Sequence, residues 1–64
     1  MNKKEFEQFM YNEFPTVFEN SFTRELLSNI LDYARGREKE EQYRLLSSII
    51  PEVTYTELKD VYLV

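Results

Sequence analysis

The amino-acid sequence predicts an all-α protein, a compact small bundle of about four helices that forms a single domain over residues 1–64. Two observations carry this prediction. Apolar residues recur with the period of an α-helix in four separate segments. Both prolines and the single glycine lie between these segments, where such residues end helices. The predicted helices cover approximately residues 3–14, 21–35, 38–50 and 55–63.

The first predicted helix begins after Asn2 and ends before Pro15. Asn2 is a favourable N-cap, and Glu5 lies three residues later, as in a capping box. Pro15 ends the helix because the residue before a proline is disfavoured in the helical conformation. Val17 and Phe18 in the connector are too apolar for a free loop, so we expect them to plug the end of the core, where a short helical turn is one option. The apolar face of this helix contains Phe6, Phe9, Met10 and Phe14.

The second predicted helix, residues 21–35, has the widest apolar arc and is expected to be the central helix of the bundle. Its apolar residues cover about half of the circumference, whereas a surface helix usually has a narrower stripe. We therefore expect other segments to cover it from two sides, with Ile30 in the middle of the buried arc. Asn20 or Ser21 caps its start, and Gly36 lies just past its end. The arc contains Phe22, Leu26, Leu27, Ile30, Leu31, Tyr33 and Ala34.

The third and fourth predicted helices complete the bundle. Residues 38–50 form an amphipathic segment that Pro51 ends, and its short connection to the second helix predicts an antiparallel helical hairpin. Thr54 and Glu57 have the spacing of a second capping box and open a short helix over residues 55–63. A helix this short must dock on the rest of the protein to be stable. The apolar residues of the third helix are Tyr43, Leu45, Leu46, Ile49 and Ile50.

One internal similarity links the two halves of the chain. Phe14-Pro15-Thr16-Val17 and Ile50-Pro51-Glu52-Val53 each connect one predicted helix to the next. Two interpretations stand: a duplicated helix–proline–helix unit, or two independent uses of proline as a helix stop. Neither connector has the series of oxygen ligands that an EF-hand loop needs, so calcium binding is not predicted.

Composition and charge argue against several classes of function. The 64 residues contain neither cysteine nor histidine, and the net charge of −4 with a pI near 4.7 disfavours binding to nucleic acid or to an anionic membrane. No apolar run approaches the length of a membrane span, and the first residues lack the apolar region of a signal peptide. We expect a cytoplasmic protein. The Lys-, Glu-, Asn- and Tyr-rich composition resembles that of small proteins of Gram-positive bacteria and their phages, without a motif that carries the likeness.

No catalytic, metal-binding or cofactor-binding residue is predicted. The serines have no histidine as a base, and the sequence offers no glycine-rich loop for an oxyanion or phosphate. Glu38, Glu40 and Glu41 form an acidic cluster, but they leave one helix in different directions, and a divalent cation needs converging oxygens. The chain is therefore expected to be non-enzymatic.

The first function class that remains is a protein-interaction module or small regulator. Tyr11 lies off the apolar stripe of the first helix, and Leu63 and Val64 lie beyond the stripe of the last one. Exposed tyrosine and aliphatic side chains are typical of the centres of interfaces, so these three residues are the candidate contacts. The partner is a second copy of the chain, which is slightly favoured, or a different protein.

The alternative class is a nucleic-acid-binding regulator that uses the helix pair around Gly36. Arg35, Arg37 and Lys39 would contact phosphates. Interleaved glutamates cancel much of this positive charge, and acidic residues are expected at the start of a helix in any case. Nucleic-acid binding is therefore the weaker of the two hypotheses.

Overall fold

The computed structural model of the protein describes residues 1–58 and 63 and confirms the all-α prediction. The described residues form four α-helices and no strand. Helix α2 is central, because it packs against α1, α3 and a 3₁₀ turn, whereas the short α4 packs against α3. None of these helices has both the length and the apolar character that a membrane crossing requires. The elements are α1 (Lys3–Glu13), the 3₁₀ turn (Val17–Glu19), α2 (Ser21–Ala34), α3 (Lys39–Ser47) and α4 (Tyr55–Leu58).

The starts of three helices are capped as the sequence predicts. The Asn2 side chain accepts a hydrogen bond of 2.9 Å from the Glu5 backbone N–H, and the Glu5 carboxylate accepts one of 3.1 Å from the Asn2 N–H. Asn20 caps α2 by accepting from a backbone N–H of its first turn, at 2.7 Å. Thr54 and Glu57 form the second capping box at the start of α4. Because each bond joins residues within one helical turn, local sequence is sufficient to predict it.

The third helix is shorter than predicted and ends at Ser47. The N–H groups of Ser48 and Ile49 instead bond the carbonyls three residues earlier, at 3.3 and 3.1 Å, which tightens the end of the helix. Pro51 is the physical reason. Its ring would clash with the Ser47 carbonyl in a continuous helix, and it also disfavours the helical conformation of the residue before it.

The predicted extent of the fourth helix is also wrong at its end. The described part of α4 stops at Leu58, and Leu63 is not helical. Residues 59–62, which the prediction also placed in this helix, lie outside the described residues. The Leu63 side chain is only 1% exposed and belongs to the core.

The two helix–proline connectors share two backbone hydrogen bonds. In each, the residue before proline donates to the carbonyl four positions earlier and accepts from the valine three positions later. The bonds are Phe14 N–H to Met10 O (2.9 Å), Val17 N–H to Phe14 O (3.1 Å), Ile50 N–H to Leu46 O (2.9 Å) and Val53 N–H to Ile50 O (3.1 Å). Each turn directs its valine against the core, where Val53 is buried and Val17 partly buried.

The buried part of the α2 arc is narrower than predicted, although α1, the 3₁₀ turn and α3 all pack against this helix. Leu27 and Leu31 are 0% and 1% exposed, whereas Ile30, the predicted centre of the buried arc, is only partly buried. Phe22 and Tyr33 belong to the same predicted arc but are exposed. The buried apolar residues are Phe6, Met10, Phe18, Leu27, Leu31, Ala34, Leu46, Ile50, Val53, Leu58 and Leu63.

Gly36 provides a local test of the turn between α2 and α3. Its φ of +77° lies in the left-handed region, and a Cβ placed on it would have no atom within 4 Å. The cost of Gly36→Ala should therefore be backbone strain alone, about 1 kcal/mol of unfolding free energy in urea titrations. Gly36→Asn should cost less, because asparagine tolerates this conformation better. Equal stability of the alanine variant and the wild type would contradict this account.

Candidate protein-interaction surface

The residues of the α2 apolar arc that are exposed or only partly buried form a continuous strip, here called the α2 edge and defined as Phe22, Leu26, Ile30 and Tyr33. Their spacing of four, four and three residues places them within about 80° on the helix. Phe22 is 67% exposed and Tyr33 is 57% exposed, while Leu26 and Ile30 between them are partly buried. The edge thus has an exposed aromatic ring at each end and an aliphatic centre.

Contacts with the first half of the chain fix the rotation of α2. On the flank away from the α2 edge, the Lys3 ammonium lies 2.8 Å from the Asp32 carboxylate. The Arg24 Nε donates to the Phe18 carbonyl at 2.6 Å, and its guanidinium lies 5.8 Å from the centre of the Tyr11 ring. Since the inner face of the helix is fully buried, the α2 edge is directed away from the core.

Arg37 orders the Tyr33 end of the α2 edge. Its guanidinium carbon lies 4.2 Å from the centre of the Tyr33 ring, a cation–π contact, and its Nε donates to the Tyr33 carbonyl at 2.9 Å. The same guanidinium bonds the Glu41 carboxylate on α3 at 3.2 Å. One face of the Tyr33 ring is therefore held by the protein itself, although the residue remains largely exposed.

Exposed charged residues of both signs lie near each end of α2. Glu19, Arg24 and Glu25 are exposed at the start of the helix, and Asp32, Arg35 and Glu38 are exposed at or beyond its end. Arg35 lies about 140° or more around the helix from every residue of the α2 edge, so it does not flank the edge.

The buried side-chain amide of Gln42 stabilises the Tyr33 end of α2 through hydrogen bonds to backbone groups. Gln42 is 2% exposed, and its Nε2 lies within hydrogen-bond distance of the carbonyl oxygens of Ala34 (3.1 Å), Arg37 (3.2 Å) and Leu63 (2.9 Å). Its Oε1 accepts from the Leu63 N–H at 3.4 Å. One side chain thus ties the end of α2, the following turn and Leu63 together.

Sequence reasoning did not identify Gln42. A signal was present, because Gln42 lies three and four residues before Leu45 and Leu46 and therefore on the apolar side of α3. A glutamine at such a position indicates a buried amide with backbone partners. Nothing in the sequence, however, indicates which distant backbone groups those partners are.

The residues predicted for protein contact do not form one exposed surface. Tyr11 was expected to be exposed, but it is partly buried, with its ring 5.3 Å from that of Phe18. Leu63 is buried, so the expectation that it is available at the surface is wrong. Val64 lies outside the described residues.

The residues proposed for nucleic-acid contact have mixed surroundings. Arg35 is exposed, whereas Arg37 makes the contacts with Tyr33 and Glu41 described above. The Lys39 ammonium donates to the Leu58 carbonyl and so joins the start of α3 to α4. Two of the three cations therefore take part in contacts within the chain.

No group of three potential metal-ligating side chains occurs in the described part of the chain, and no pocket is present there. Comparison with known protein families, with curated proteins and with solved structures finds no match to this chain. The interaction hypothesis therefore depends on the geometry of the surface itself.

Proposed function

We propose that this chain is a non-enzymatic protein-interaction module, in the cytoplasmic location expected from its sequence, and that it binds another polypeptide through the α2 edge. The observation that carries the proposal is the exposure of two large aromatic side chains, Phe22 at 67% and Tyr33 at 57%, along one edge of one helix. Contiguous exposed apolar surface on a small domain is typical of an interaction site. Aromatic residues are also enriched at the centres of interfaces.

The rigidity of the α2 edge supports its assignment over other exposed apolar groups. Its helix is held by the core on the inner side and by Arg37 at one end, so little conformational entropy would be lost on binding. The other described large apolar side chains that are exposed are Met1 at 43% and Tyr55 at 44%. Tyr55 is less exposed than either aromatic residue of the α2 edge, and its ring packs against Tyr43 with centroids 5.7 Å apart.

Site-specific photo-crosslinking in the cell that makes the protein tests this proposal. A photoreactive phenylalanine analogue at position 22 should form a light-dependent covalent product with one defined polypeptide, identified by mass spectrometry as this chain or another. The matched control carries the analogue at Gln8, an exposed residue of α1. The absence of a product at position 22, or the same products at both positions, would count against the proposed function.

A further inference from the structure

We infer that the docking of Leu63 on Gln42 regulates the α2 edge. This inference rests on the proposed function and names a control of that surface. With Leu63 docked, the Tyr33 end of the edge is ordered for binding, and release of Leu63 loosens this end. The connection runs through the Gln42 amide, the turn after α2 and the Arg37 side chain.

Gln42 holds both backbone polar groups of Leu63. Its Nε2 donates to the Leu63 carbonyl at 2.9 Å, and its Oε1 accepts from the Leu63 N–H at 3.4 Å. The two ends of the amide therefore have opposite partners, which fixes the amide in one orientation. Gln42 is 2% exposed and Leu63 is 1% exposed, so water does not compete for these bonds while Leu63 stays in place.

The same amide stabilises the turn that ends α2. Its Nε2 has two N–H bonds but lies within hydrogen-bond distance of three carbonyls, so its orientation decides how well each carbonyl is satisfied. Two of the three carbonyls belong to Ala34 and Arg37, on either side of the turn. Release of Leu63 removes the bonds that fix the amide and gives water access to it. Water then competes for the Ala34 and Arg37 carbonyls, and the turn is held less firmly.

Arg37 transmits the state of the turn to the Tyr33 ring. Its backbone carbonyl is bound by Gln42. Its side chain holds Tyr33 through the cation–π contact at 4.2 Å and the bond from Nε to the Tyr33 carbonyl. A change in the backbone at Arg37 therefore moves the guanidinium relative to the ring. The Phe22 end is capped separately by Asn20, so the effect is concentrated at one end of the edge.

The attachment of Leu63 opens at a lower free energy than the centre of the bundle. The chain reaches Leu63 by way of α4, which is a single turn of four residues, and a helix this short is stable only while it is docked. Local openings of this kind occur well below the free energy of global unfolding. Coupling between two sites is reciprocal, so a partner that prefers the ordered Tyr33 end also stabilises the docking of Leu63.

Hydrogen exchange of the full chain, measured by NMR, tests the coupling. Arg37→Gln should raise the opening constant of the Leu63 amide by about fivefold beyond any change at Leu31 in α2, which is the lower end of couplings between sites. The matched control is Arg24→Gln. Arg24 makes the same two types of contact near the start of α2, with a backbone carbonyl and with the Tyr11 ring. This control should leave the ratio of Leu63 to Leu31 unchanged.

Photo-crosslinking with the analogue at position 22 tests whether the coupling reaches the partner. Leu63→Ser places a hydroxyl in the core and so prevents docking, and it should lower the yield of the crosslinked product by about fivefold. Leu63→Met keeps the apolar volume and the backbone bonds and should retain the yield. Circular dichroism should show that Leu63→Ser remains helical, because release of Leu63 is a local opening.

Three results would each overturn the inference. The first is an unchanged exchange ratio in Arg37→Gln, or an equal rise in Arg24→Gln. The second is complete unfolding of Leu63→Ser, since docking would then not be separable from the fold. The third is a crosslinking yield in Leu63→Ser equal to that of Leu63→Met.

The proposed function is decided separately, by the product at position 22 in the chain that keeps Leu63. If that product forms while the exchange ratio and the yield do not respond to the substitutions, the interaction function stands and its regulation falls. If no product forms, both fall, whatever the exchange ratio shows.

Discussion

Replacement of Leu27 by alanine is expected to lower the unfolding free energy by about 2–5 kcal/mol, the usual range for truncation of a fully buried leucine. Leu27 is 0% exposed and lies on the inner face of α2, where it packs within the core. A domain of this size has only a few kcal/mol of stability in total. Most molecules of the Leu27→Ala variant should therefore be unfolded at room temperature, as measured by circular dichroism in a urea titration.

The neighbouring residue Leu26 provides a control of the same chemistry. Leu26 lies on the α2 edge and is only partly buried, so Leu26→Ala should cost about 1 kcal/mol or less. Equal losses of stability in the two variants would show that the core does not lie on the Leu27 side of α2.

Gln42→Leu is expected to destabilise the protein by about 2–4 kcal/mol despite the similar size of the two side chains. Leucine cannot bond the carbonyls of Ala34, Arg37 and Leu63, nor the Leu63 N–H, and a buried polar group left without a partner costs about 1–3 kcal/mol. Partial rearrangement of the chain and access of water to these backbone groups should make the total cost smaller than the sum of the individual costs. Urea titration gives the stability, and hydrogen exchange of the Leu63 amide should accelerate beyond the global change.

The matched control for this substitution is Gln8→Leu on the exposed face of α1. It makes the same chemical change where no buried partner is lost, so the change in stability should be within about 0.5 kcal/mol. If Gln42→Leu were as stable as Gln8→Leu, the amide would not be what holds Leu63 in place, and apolar packing of Leu63 would be sufficient.

Gln42 also links the stability of the bundle to the candidate surface. It bonds the Ala34 and Arg37 carbonyls, and these residues flank the turn that follows Tyr33. Arg37 in turn contacts the Tyr33 ring. Loss of the Gln42 amide should therefore loosen the Tyr33 end of the α2 edge more than the Phe22 end, which is capped independently by Asn20.

The candidate surface could be predicted only in part from the sequence. The wide apolar arc of α2 could be read from the sequence, but other segments were expected to cover all of it, and the predicted contact residues lie elsewhere. Phe22 and Tyr33 were assigned to the core, whereas the assigned contact residues Tyr11 and Leu63 are partly or fully buried. A helical wheel gives the angle of each side chain but not the angles at which other helices pack.

The sequence by itself determined the helical class, the starts of the capped helices and the turn at Gly36. The interactions responsible, such as the Asn2–Glu5 and Thr54–Glu57 capping boxes, join residues within one helical turn and do not depend on the rest of the chain. Only the tertiary structure decided which half of the α2 arc is buried and that Gln42 bonds Leu63. These features depend on contacts between residues far apart in the chain, such as the 21 positions that separate Gln42 from Leu63, and local periodicity contains no information about them.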